Sequence, residues 1–244
     1  GQESAGIATF DGTQMHVHKG MGLVSQVFSE EKLQELPGVW AVGHNRYSTT
    51  GSSHKCNAQP ALEETRLGTL ALAHNGNLVN TIELKDKLLS LADGLDFQTT
   101  TDSEMIAKAI AIYVDQGKDW TEAAIAAFNL CSGAYSLVIG TPDGIIGARD
   151  PQGVRPLVIG TLTEEDGSTR YVLASETCAL DIIGADYLRD VEPGEMVWIT
   201  ESGLTAQQWS EKPDRKLCVF EMIYFARPDS IVHDETLFSY RLRL

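Results

Sequence analysis

The 244-residue sequence predicts an α+β domain in which helices stack on antiparallel sheet. Three observations carry that expectation. Short apolar or alternating runs bounded by Gly, Pro, Asn and Asp fill the first 80 residues. Three stretches with helical periodicity and helix start signals follow, and strand-like runs return after Gly133. The 43% of hydrophobic residues is enough to fill a sizeable core, and no internal repeat, low-complexity tract or long linker interrupts it.

Residues 5–19 read as a hairpin, with a strand to Phe10, the turn Asp11-Gly12 and an alternating return through Met15-His16-Val17-His18. His16 and His18 share one side of that strand; without a third ligand nearby they are expected to be exposed strand histidines rather than a metal site. Ser29-Glu30-Glu31 opens a short helix that Pro37-Gly38 stops, and Trp40-Ala41-Val42-Gly43 begins another strand. The apolar run 69–73 reads as a buried strand that empties into a polar tight turn, His74-Asn75-Gly76-Asn77. A helix capped by Asn80, with Glu83 three places on, is expected to run to Gly94. A second follows from a Thr101/Glu104 capping box, with Ile106, Ile110, Tyr113 and Val114 as its apolar stripe. A third starts near Asp119 and stops before Gly133. Strands are expected at 135–139, 145–148, 157–159, 171–174 and 196–199, with a helical piece near 176–183.

Composition excludes several functions. Lys plus Arg is 19 against 34 Asp plus Glu, a net charge of −15 that argues against a nucleic-acid or anionic-membrane surface. No apolar run approaches the roughly 18 residues of a membrane span, and no secretory segment opens the chain, so the cytoplasm is the expected location. The four Cys, at 56, 131, 178 and 218, lack Cys-x-x-Cys spacing. The chain begins at Gly1 without Met and enters strand-like sequence at once, so a fragment of a longer protein is expected.

Three polar points fall at the ends of expected elements: Arg46, the Asn75-Gly76 pair, and Asp102 in a first helical turn. Asn-Gly is a strong hairpin signal, but the Asn75 amide and a backbone N–H beside Gly76 also suit a developing oxyanion. Arg46 offers a planar fork for a carboxylate, and Asp102 a carboxylate for an ammonium group or simply for the helix dipole. Together they describe a site for an α-amino acid whose side-chain amide is attacked, and glutamine fits. A nucleophile is missing. Cys56, with His54 two residues away, is the candidate inside the chain, whereas Cys131 and Cys178 read as buried small hydrophobes. Cys218 lies in the apolar run 217–225, which reads as a buried strand with an inert thiol.

Arg46-Tyr47-Ser48-Thr49, His74-Asn75-Gly76-Asn77-Leu78 and Thr101-Asp102-Ser103-Glu104 together resemble the type-2 glutamine amidotransferases. The series continues through Arg149-Asp150-Pro151-Gln152-Gly153, Ala174-Ser175-Glu176-Thr177, Val191-Glu192-Pro193-Gly194-Glu195 and Phe225-Ala226-Arg227-Pro228-Asp229-Ser230, and as a whole resembles the amidophosphoribosyltransferase family. The resemblance implies an N-terminal-nucleophile hydrolase fold, an αββα sandwich. It implies that Arg46 and Thr49 hold the carboxylate end of glutamine, that Tyr47 also binds substrate, that Asp102 binds the ammonium, and that Asn75 and Gly76 form the oxyanion hole. The nucleophile would be an N-terminal Cys upstream of Gly1, so this chain by itself is expected to be inactive as a glutaminase. Residues 1–217 would be the glutaminase domain and 218–244 the start of a linker into a phosphoribosyltransferase domain. That domain would use phosphoribosyl pyrophosphate and Mg2+, in a homo-oligomer. Cys218 would be one ligand of a [4Fe–4S] cluster, completed outside the chain, that some members of the family carry. Two other readings remain: the glutaminase half of another type-2 amidotransferase, such as glucosamine-6-phosphate synthase, and a catalytically dead amino-acid-binding regulatory domain.

Overall fold

The computed structural model describes residues 3–47, 54–211, 215–232 and 235–244. They fall into two compact units, Gly1–Gly133 with Leu137–Ile146, and Ala134–Ser136 with Gly147–Leu244.

The first unit opens with β1 (Ser4–Phe10), β2 (Met15–Met21), the short helices α1 (Val24–Val27) and α2 (Glu30–Gln34), and β3 (Trp40–Arg46). The three strands form an antiparallel sheet ordered β2-β1-β3, with Ser4 opposite Arg46 and Gly6 opposite His44. The strand histidines are each engaged separately: His16 meets Asp11 at 2.7 Å, and His18 meets the Val27 carbonyl at 3.1 Å and stacks edge-on against Phe28.

A second sheet contains β4 (Ala61–Thr65), β5 (Gly68–Leu78) and the first-unit residues of β6 (Gly133–Thr141), with β5 between the other two. Leu70, Ala71 and Leu72 are all fully buried, so β5 is covered on both faces, which is why its sequence runs apolar without alternation. One face meets β3 of the first sheet. There Gly140 lies so close to Trp40 that an added Cβ would come within 2.3 Å of the ring. The other face carries α4 (Asp102–Asp115), which lies across β4 and β5 and packs against α3 (Thr81–Leu91) and α5 (Trp120–Phe128).

The expected tight turn at His74–Asn77 does not form. β5 passes straight through these residues to Leu78, because Gly76 takes φ +145° and stays extended rather than reversing the chain. Two caps also differ from expectation. Asn80 precedes α3 but spends its amide on the Leu130 carbonyl and the Ser132 N–H. Thr101 does accept from the Glu104 N–H, yet Glu104 reaches back to the N–H groups of Gln98 and Thr99 instead of closing a capping box. Nor is α4 amphipathic: it is buried almost all round, and Lys108 is neutralised by Glu63 at 2.9 Å.

In the second unit, the end of β7 (Gly144–Arg149) lies beside β11 (Glu195–Thr200), which pairs with β12 (Gly203–Gln208). A second sheet is ordered β10-β8-β9, from β8 (Val158–Thr163), β9 (Thr169–Ala174) and β10 (Asp186–Asp190). Helix α6 (Thr177–Ile183) packs against β9 and β10. A two-strand ribbon of β13 (Ile231–Val232) and β14 (Glu235–Thr236) leads into α7 (Leu237–Arg241). The run 217–225 is not the expected buried strand. It forms a helical turn that buries its acid, Glu221, against Arg155 at 2.7 Å, and leaves Phe220, Tyr224 and Phe225 exposed and packed on one another.

Candidate active site

All described residues of the expected glutamine site lie in the first unit. Arg46 ends β3 and is 4% exposed, because the pairing of β1 with β3 brings Glu3 beside it. Its Nη1 donates to Glu3 Oε1 at 2.6 Å. Tyr47 follows directly and is 71% exposed. Thr49 lies outside the described residues. Asn75 and Gly76 are within β5, half-buried, and Gly76 holds a φ that disfavours any side chain.

Asp102 is the first residue of α4 and is 6% exposed. Its Oδ2 accepts from the Leu78 N–H at 2.9 Å, and its Oδ1 faces His74 Nδ1 at 3.4 Å. Burial on its own would raise this carboxyl. The His74 ring, as partner and as charge, and the N–H groups of Leu78 and Ser103 outweigh burial and hold it below the ordinary aspartate value. Asp102 therefore grips β5 on both sides of Asn75-Gly76, through His74 before the pair and Leu78 after it.

His74 is the residue that reading by motif passed over. Its Nδ1 also lies 3.3 Å from Ser103 Oγ, its N–H donates to Gln59 Oε1 at 2.7 Å, and its carbonyl accepts from His44 Nε2 at 3.1 Å. The His44 bond joins β3 to β5 and so ties the end that carries Arg46 to the strand that carries Asn75. Burial, with His74 next and then Arg46 nearby, pushes the His44 imidazole down to about 4. Neither Gln59 nor Glu3 carries a sequence signal of its own. Their roles come from strand pairing, and β4, which sets Gln59, had no expectation attached to it.

Cys56 is exposed and points toward Asn57 Oδ1 at 3.8 Å. Cys131 donates to the Ala127 carbonyl, and burial pushes its thiol up to about 12, which makes it a poor nucleophile at neutral pH. Cys178 is buried in α6, and Cys218 is half-buried in the second unit, edging a cavity with Arg149, Arg215 and Glu221. Among the described residues no group of three or more His, Cys, Asp or Glu could hold a metal ion.

The elements that carry the Arg46 guanidinium, the Asn75-Gly76 dipeptide and the Asp102 carboxylate are thus joined through His44 and His74. Residues 44–181 match the glutamine amidotransferase domain family, and the chain belongs to it. Over its full length it is 70% identical to the amidophosphoribosyltransferase of Synechocystis sp., covering 49% of that protein. It is 42% identical to that of Bacillus subtilis, covering 50%. The solved B. subtilis glutamine phosphoribosylpyrophosphate amidotransferase, complexed with ADP and GMP, superposes with a TM-score of 0.88 at 42% identity, over 98% of this chain and 50% of that one. The α+β class and the N-terminal-nucleophile hydrolase fold expected from the sequence are thus those of the structure. The chain spans about half the length of the curated relatives it matches.

Proposed function

We propose that this chain is the glutaminase part of an amidophosphoribosyltransferase. The observation that carries the reading is the convergence of Arg46, Asn75-Gly76 and Asp102 at one end of β3, β5 and α4, linked through His44 and His74. Arg46 and Thr49 take the glutamine carboxylate, Tyr47 also binds the substrate, and Asp102 takes the ammonium. A thiolate from the N-terminal Cys implied by the family resemblance adds to the side-chain amide carbon. The Asn75 amide and the Gly76 N–H receive the oxyanion. Collapse with proton transfer to nitrogen releases ammonia and leaves a glutamyl thioester, which water hydrolyses to glutamate. The ammonia then displaces pyrophosphate from phosphoribosyl pyrophosphate at a phosphoribosyltransferase domain, giving 5-phosphoribosylamine for purine synthesis. In this reading the protein works in the cytoplasm as a homo-oligomer. The domain boundary falls at 217/218, and Mg2+ belongs to the transferase domain.

A [4Fe–4S] cluster fits this chain only as a single ligand. Cys218 is half-buried, and among the described residues no group of three or more His, Cys, Asp or Glu could complete a metal site with it. Cys218 would supply one thiolate, and no step of the glutaminase chemistry runs through the cluster.

The test is the stoichiometry of the full-length protein with glutamine and phosphoribosyl pyrophosphate. One glutamate and one pyrophosphate should appear per turnover, with free ammonia able to replace glutamine. Turnover with fructose 6-phosphate instead would assign it to the glucosamine-6-phosphate synthase class, and tight glutamine binding without hydrolysis would make it a regulatory module.

A further inference from the structure

β4 pairs with β5 from Gly68 to Leu72, where Ala61 stands opposite Leu72. Continuing that register by two residues puts Gln59 opposite His74, but the ladder does not continue through the backbone. In a backbone ladder of this register, residue 59 would exchange its own N–H and carbonyl with those of His74. The Gln59 carbonyl is turned toward β1, so close to Gly6 that an added Cβ would lie 2.0 Å from it. The ladder is completed instead by the Gln59 side chain. Its Oε1 accepts from the His74 N–H at 2.7 Å and its Nε2 donates to the His74 carbonyl at 3.4 Å, the two bonds a neighbouring strand residue would have made. The pair is buried, with Gln59 7% and His74 4% exposed. Only one amide orientation satisfies a donor and an acceptor placed this way.

We propose that Gln59 is a positioning residue for the oxyanion hole. The inference rests on the reading of Asn75-Gly76 given above. Gln59 fixes β5 one residue before the dipeptide, as Asp102 fixes it two residues after through the Leu78 N–H. Gly76, freed by its lack of a side chain, would otherwise let this segment relax. An oxyanion hole stabilises its transition state only if the donors are already aimed when charge develops. Gln59 therefore acts on turnover, through Asn75 and Gly76, and touches no substrate itself.

The experiment uses the full-length enzyme and compares Gln59→Ala, Gln59→Glu, Asn75→Ala and the Gln59→Ala/Asn75→Ala double variant. For each, kcat and KM with glutamine are measured beside the ammonia-driven rate. Gln59→Ala should lower kcat for glutamine by about 10- to 100-fold, with KM within about threefold and the ammonia rate unchanged. In the Asn75→Ala background the same substitution should cost less than about threefold, because the group it aims is gone. If Gln59→Ala does not fold, judged by loss of the ammonia reaction, Gln59→Glu carries the test. It keeps an acceptor for the His74 N–H, loses the donor to the His74 carbonyl, and should lower kcat by about tenfold. Full kcat in a folded Gln59 variant, or losses that multiply independently with those of Asn75→Ala, would overturn the proposal. Normal glutamine turnover in Asn75→Ala would instead overturn the oxyanion reading on which it stands.

Discussion

Acid should unfold this protein through His44, and His44→Gln is the variant that exposes the effect. The His44 Nε2 donates to the His74 carbonyl at 3.1 Å, so the proton of the neutral ring sits on Nε2. Nδ1 is buried with no hydrogen-bond partner among the described residues. Charging the ring would place a second N–H there, facing no acceptor, beside His74 and near the Arg46 guanidinium. Accordingly the imidazole is pushed from 6.5 down to about 4, by burial first and then by those neighbours. Above pH 6.5 both folded and unfolded states hold a neutral ring and His44 contributes no pH dependence. As pH falls from 6.5 to about 4 the unfolded state takes up the proton first, and stability is lost. The full window amounts to about 3 kcal/mol, and about 2 kcal/mol is already lost at pH 5. The amide introduced by His44→Gln would keep the donor to the His74 carbonyl and cannot be charged, at a packing cost of about 1 kcal/mol. Urea unfolding of the two proteins should therefore cross over: wild type more stable near pH 7.5, His44→Gln more stable near pH 5. Parallel stability curves through that range would refute the argument.

The remaining predictions concern the full-length enzyme. Asn75→Ala should lower glutamine turnover by about 10²–10³-fold with a smaller change in KM, and leave the ammonia-driven rate intact. Arg46→Lys keeps the charge but loses the fork held by Glu3, so KM for glutamine should rise by about 10-fold or more at near-normal kcat. An equal fall in the ammonia-driven reaction would contradict the role given to either residue. Asp102→Asn still has an oxygen for the Leu78 N–H but no charge for an ammonium. Its KM should approach the same value for glutamine and for an analogue lacking the α-amino group, whereas wild type should favour glutamine by about 10²-fold.

Much of the fold was legible in the sequence, because the hairpin at Asp11-Gly12, the α4 start at Thr101 and the α5 start at Asp119 are decided by local chemistry. What was not legible depends on partners distant in sequence. Asn-Gly commonly reverses a chain, yet at Asn75-Gly76 anchors from Gln59, His44 and Asp102 on the flanking residues hold the strand extended. The run 217–225 looked like core because its residues are apolar. The ion pair of Glu221 with Arg155 decides instead which side of that turn is buried. For the proposed site, Arg46, Asn75, Gly76 and Asp102 stand out in the sequence, whereas the partners the structure gives them, Glu3, Gln59, His44 and His74, do not. Each support acts through register or through a contact between sheets, which no local pattern encodes.

Those supports have a consequence for binding. Arg46 is already compensated by Glu3, and Asp102 by the His74 ring and the Leu78 N–H, before any ligand enters. Neither charge has to be stripped of water to meet a zwitterion, because the protein has done that on folding and has matched each charge with a fixed partner. A ligand carboxylate or ammonium must then add to an existing pair rather than create one, so its gain depends on meeting both groups at the right separation. An amine or a carboxylate alone gains little at either end. In the proposed glutamine site, selectivity for an α-amino acid would follow from the spacing between two pre-satisfied charges, and the supports that hold those charges include the His74 anchor that we propose aims Asn75 and Gly76.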